Sequence, residues 1–145
     1  MGNETKIYIA LEEGAGLFHA PVACHPLPSG SYEILPDSVF DHEDGWQLFE
    51  FGPGDIIQVR RELLGDDKTP YLVAHRLIRS GSDVNDFKRL LFDILEEKPD
   101  PFSVVMKHSK VAVRRLLTEG YQARLLYSGV REWISLHQQV LEEAL

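Results

Sequence analysis

His19, Cys24 and His25 fall within seven residues of one another, and all three are ligands for soft or borderline metals. Asp41-His42-Glu43-Asp44 adds oxygen and imidazole donors a little further on. Zinc takes three or four such groups in a tetrahedron, at short Cys/His spacings. A site on His19, Cys24, His25 and His42, serving a small metal-dependent enzyme, is therefore the first chemistry to weigh. The spacing matches no finger, and there is no second cysteine to pair with Cys24. Adjacent residues of a strand point to opposite faces, which sets Cys24 apart from His25. A polar cluster beside a half-buried thiol is the plainer reading. As a nucleophile Cys24 fares worse, because its sequence surroundings are acidic and raise a thiol's pKa.

Other chemistry-bearing residues have plain readings too. Glu12-Glu13 and Asp41 with Asp44 lie beside turn residues, which predicts solvated charge rather than a split acid/base pair. Gly14-Ala15-Gly16 and Gly52-Pro53-Gly54 lack the Lys-Ser/Thr and helix that a phosphate cradle needs. His75 and His137 stand on apolar faces and read as hydrogen-bonded core or interface residues. No cofactor is implied.

The basic segment is more informative. Residues 103–131 carry Lys107, Lys110, Arg114, Arg115, Arg124 and Arg131 against Glu119 alone. On one helix, Lys107, Lys110 and Arg114 fall within an arc of about 60°. His108 and Arg115 widen that arc, and Val104 and Val111 lie inside it. Such a face can grip an acidic protein or a phosphate backbone. The partner-contacting candidates are Lys107, Lys110, Val111, Arg114, Arg115 and Arg124. The competing reading docks them on the chain's own acidic beginning, since the first 55 residues hold ten acids against Lys6.

The elements that must position these residues divide the chain in two. Up to residue 80 the pattern is strand and turn: Ile7–Leu11, Leu17–Cys24, Ser31–Leu35, Trp46–Phe51, and the hairpin Ile56–Leu64 with Tyr71–Ser80. From Ser82 the apolar period becomes helical, with Val84, Phe87, Leu90, Leu91, Ile94 and Leu95 on one side after a Ser82 or Asp83 cap. Asp100-Pro101 opens a second helix toward Gly120, with Phe102, Val105, Met106, Val113, Leu116 and Leu117 inward and a possible break at His108-Ser109. Ser128 caps the last helix, whose stripe includes Val130, Trp133, Ile134, His137, Val140, Leu141 and Leu145. The expected fold is α+β: a small antiparallel β-barrel or curled sheet over residues 1–80, then three or four helices over 81–145. The two parts can form one compact unit.

Phe51-Gly52-Pro53-Gly54-Asp55-Ile56-Ile57 resembles the turn that leads into a strand of SH3-like barrels. Pro53 and Gly54 suit the central positions of a type II turn. The order of parts is similar to transcription regulators with a barrel before a helical domain, a likeness of fold only.

Bulk properties bound the rest. A chain of 145 residues buries about 68–70% of its unfolded surface, enough for a core without staples. With 43% hydrophobic and 26% charged residues it reads as a folded globular protein. One cysteine, no signal-like start and no apolar run of about 18 residues point to the cytoplasm and away from the membrane. The favoured function is a small, soluble, non-enzymatic binding or regulatory protein acting through protein contacts, with homodimerisation through the last helix as one mode. A nucleic-acid accessory protein is second, using the basic segment with Tyr121 and Tyr127 as stacking groups.

Overall fold

In the first strand, β1 (Thr5–Glu12), alternate residues Ile7, Ile9 and Leu11 are buried, the signature of a strand with one face on a core. The computed structural model describes residues 4–12, 17–37, 40, 48–65, 68–119 and 128–145. β2 (Leu17–Pro26) runs antiparallel to β1 along its whole length, from Thr5 opposite Cys24 to Glu12 opposite Leu17. β3 (Tyr32–Ile34), β4 (Leu48–Phe49), β5 (Ile56–Leu63) and β6 (Pro70–Arg79) complete a six-stranded sheet. Its order is β2-β3-β5-β6-β1-β4, with β2 also paired to β1.

The sheet is mixed, which corrects the expectation of a purely antiparallel one. Each step from β1 through β2, β3 and β5 to β6 is antiparallel. Four reversals restore the starting direction, so β6 can meet β1 only in parallel, and it does so at Tyr8 opposite Val73. Tyr8 and Tyr71 pack ring on ring across this junction, with centroids 4.9 Å apart.

The β5–β6 hairpin has the expected arms but not the expected faces. Val59 pairs with Ala74 while Gln58 pairs with Arg76, and Ile57 pairs with Leu77 while Ile56 pairs with Arg79. β6 thus carries two extra residues, His75 and Ile78. A bulge residue leaves the ladder and re-aims its neighbours. Ala74 and Leu77 therefore both reach the sheet core, and His75 is exposed rather than a core residue.

The sheet gives way to helices between Arg79 and Asp83. Buried Asp55 fastens this switch: its carboxylate accepts from the backbone N–H of Gly52 (2.9 Å) and Gly81 (2.6 Å) and from Asn85 Nδ2 (3.1 Å). Gly54 has φ +88°, as the turn chemistry requires. α1 (Asp83–Glu97) is capped by Ser82, whose side chain accepts from Asn85 N. α2 (Pro101–Lys107) is capped by Asp100 with proline at its first turn. α3 (Lys110–Glu119) and α4 (Ser128–Ala144) follow.

Two apolar clusters result. One lies inside the sheet, around Ile7, Ile9, Val22, Cys24, Ile34 and Ile57. The other lies among the helices, around Leu90, Ile94, Val113, Leu116, Ile134 and Leu141. β4 is the seam, since Leu48 joins the helical cluster and its neighbour Phe49 the sheet cluster. No helix among the described residues is long and apolar enough to cross a membrane.

Candidate functional site

The basic segment does not form one helix. α2 stops at Lys107, and His108 takes extended φ and ψ of −112° and 156°. Ser109 then accepts from Ala112 N and so caps α3. The break resets the helical phase, which overturns the expected facing of α2. Val104 is 2% exposed, whereas Phe102 and Met106, expected inward, are 65% and 88% exposed. Lys107 belongs to α2, and Lys110 and Arg114 to α3, so their shared arc does not exist. Val111 is exposed at the start of α3, beside Lys110.

Beneath this elbow lies a knot of buried charge. Asp86, Arg89 and Asp93 share one face of α1, spaced three and four residues apart, and all are buried. His108, expected on the basic surface, is instead drawn inside between the two acids. Its Nδ1 lies 2.9 Å from Asp86 Oδ1 and its Nε2 lies 2.8 Å from Asp93 Oδ2. Ionised carboxylates can only accept, so both ring nitrogens carry protons and the side chain is an imidazolium. Burial alone would lower the His108 pKa, but the hydrogen bonds and charges of both acids outweigh it and raise the value above the usual one. Burial likewise pushes Asp86 and Asp93 up. For Asp86, His108, Ser109 N–H and Arg89 reverse the sign; for Asp93, His108 and Lys107 do so. Arg89 Nη2 meets Asp86 at 2.6 Å and Lys107 Nζ meets Asp93 at 2.9 Å. With both nitrogens engaged and no exposed edge, His108 is a clamp on the elbow, not a general base.

Glu50, just past β4, faces the same knot. Burial first and the Asp93 charge second push its carboxyl up to about 7, against the pull of Lys107 and Arg89.

The remaining sequence candidates are scattered. Arg115 stacks over the Phe87 ring at 4.5 Å and pairs with Glu119, so it serves its own fold. Arg124, Tyr121, Tyr127 and His42 lie outside the described residues, as do Trp46 and Gln47 of the expected fourth strand. Cys24 is buried and its thiol is pushed up to about 12 by burial, then by the Asp37 charge. His19 and His25 are exposed on the same strand. Five residues of strand put His19 roughly 17 Å from Cys24, too far for one ion. Among the described residues no group of three or more His, Cys, Asp or Glu is placed to hold a metal. The α4 stripe, expected as a homodimer contact, is largely spent inside the chain, with Val130, Trp133, Ile134 and Leu141 all buried. His137 stacks against Trp133 at 4.8 Å.

Sequence reasoning missed Glu50, Asp86, Arg89, Asp93, Phe102 and Met106. The triad on α1 carried a signal, because two acids flanking an arginine on a 60° arc sit next to the Leu90 ridge. Comparison with family models, curated proteins and solved structures finds no match for this chain.

Proposed function

We propose that this is a small, non-enzymatic binding or regulatory protein that acts through protein contacts made by the α2–α3 elbow. The observation that carries the reading is the pair Phe102 and Met106, 65% and 88% exposed and one turn apart on α2. Burying one such side chain in a partner is worth about 1.5–3 kcal/mol. Lys110, Val111 and Arg114 are exposed on α3, the next element, and can supply steering charge. An acidic protein surface with apolar hollows is the complement. The buried knot fixes the angle between the two helices and so presents the surface ready formed.

The ring of pairings from β1 round to β6 supports a small SH3-like barrel as the scaffold. The single buried thiol suits a reducing compartment, the cytoplasm.

The test is co-purification with wild type, with Phe102→Asp/Met106→Glu, and with Lys110→Glu/Arg114→Glu. Both variants are expected to melt like wild type and to lose the same bound proteins. Unchanged partners in both would sink the elbow reading. A duplex titration at two salt concentrations belongs in the same experiment, since a steep fall with salt would instead mark nucleic acid.

A further inference from the structure

Between the bulged strand and the charge knot lies a cleft of about 290 Å³. Glu50 and Phe51 line it from β4's end, His75, Arg76 and Leu77 from β6, Arg89 from α1 and Lys107 from α2. Three cations and one acid thus line it, with Arg89 and Lys107 also paired to Asp86 and Asp93 behind the wall. Arg89 is 5% exposed, and its Nη1 is buried without a hydrogen-bond partner among the described residues. A buried guanidinium nitrogen left unpaired is costly, and native proteins rarely tolerate it without a reason. Arg76 and Lys107 are exposed at the cleft's outer side. His75 reaches the lining because it is a bulge residue, the kind of irregularity that re-aims side chains beside binding sites.

We propose that this cleft binds a small oxyanion, a phosphoryl or carboxylate group, held by Arg76 and Lys107 with the buried Arg89 guanidinium behind them. The guanidinium fork suits either group. Phe51 and Leu77 supply apolar wall for the part of the ligand that carries the anion. The site is independent of the elbow's protein partner, because its donors apart from Lys107 lie on other elements.

Binding there takes up a proton. The groups around Glu50 are Arg89, Asp93 and Glu97 of α1, Lys107 of α2, and His75 and Arg76 across the cleft. An anion entering beside an ionised Glu50 meets a like charge, so Glu50 binds it best in the neutral form. Glu50 already sits up at about 7, so that form is abundant near neutrality.

The experiment is calorimetric titration with sulfate, which stays fully ionised across the range used, and separately with acetate, each against chloride at matched ionic strength. Saturable binding of sulfate identifies a phosphoryl-type ligand, and of acetate a carboxylate. For a single proton near 7, affinity should be about tenfold weaker at about pH 8 than at about pH 6. Arg76→Gln should weaken binding about tenfold. Glu50→Gln should abolish the pH dependence and bind at the higher pH as wild type does at the lower, with His75 still in place. Arg131→Gln, exposed on α4 and outside both cleft and elbow, should leave anion binding unchanged. The proposal fails if neither anion binds beyond chloride, if Arg76→Gln has no effect, or if Arg131→Gln weakens binding as much, which would mean diffuse charge. A Glu50→Gln protein with unaltered pH dependence would overturn the proton linkage.

Discussion

His108 Nε2 lies 2.8 Å from Asp93 Oδ2 although the two residues are on different elements, and the contact is almost sealed from water. With Asp86 on the other ring nitrogen, one imidazolium neutralises two buried carboxylates. The two contacts tie the elbow between α2 and α3 to α1.

Removing it should cost far more than an ordinary surface change. His108→Ala leaves Asp86 and Asp93 buried without their shared cation, and breaking a buried ion pair costs about 3–5 kcal/mol. The pH dependence has two limbs. The His108 value is raised, so its contribution is complete below the unfolded value of about 6.5 and fades as pH climbs through the higher folded one. The Asp86 and Asp93 values are lowered, so theirs is complete above the unfolded value of about 3.9 and fades as pH falls through the folded ones. Urea midpoints for wild type and variant should differ most between those limits and converge in alkali. A constant gap would contradict the imidazolium.

Glu50 should add a loss in the same direction, toward higher pH. Its folded value, about 7, is raised from an ordinary 4.5, so the stability linked to its proton is lost as pH rises through neutrality. Glu50→Gln should therefore be more stable than wild type at about pH 8, by on the order of 1–3 kcal/mol. Thermal melts at two pH values check this, and a variant no more stable at the higher value would show that Glu50 ionises without strain.

Gly81 should not accept a side chain. A Cβ there would stand 2.4 Å from the carbonyl carbon of Gly54 and 2.8 Å from Asp55 N, both backbone atoms that cannot swing aside. Gly81→Ala should lower the unfolding midpoint and weaken the Asp55 contact to the same backbone. A midpoint equal to wild type would mean that the sheet and α1 are not fastened there.

Much of the fold was legible because its signals are local. The Ser82 cap, the Asp100-Pro101 start and the arms of the β5–β6 hairpin are each set by residues a few positions apart. The α2 facing was not legible, because one phase was carried through His108-Ser109. The break there is enforced by Asp86, 22 residues earlier in the chain, which holds Ser109 N and His108 together. The charged arc on α1 was not legible as a site, since nothing in its own sequence shows that an imidazole will arrive to neutralise it. The cleft was hidden for a similar reason: His75 enters it only because β6 is two residues too long for β5.

Leu141 is fully buried in the helical cluster, so Leu141→Ala should cost about 2–5 kcal/mol. Chemical denaturation checks it, and an unaltered midpoint would place the stripe in water.

The last prediction separates the three cations that the sequence grouped together. Lys107 Nζ lies 2.9 Å from Asp93 Oδ2 and lines the cleft beside Glu50, although its side chain is 60% exposed. Lys110 and Arg114 are exposed on α3, and neither lines that cleft. Solvent screening limits what the Lys107 pair is worth, so Lys107→Gln should cost only about 0–1 kcal/mol. Lys107→Glu is a different change, because it sets a third carboxylate against Asp93 and Glu50. It should lower the melting temperature clearly and push Glu50 further up, whereas Lys110→Glu and Arg114→Glu should leave the melt within error of wild type. Added salt should soften the Lys107→Glu defect by screening the repulsion. If all three reversals behave alike, Lys107 is not part of the knot. The elbow would then owe its shape to His108 and the two aspartates alone.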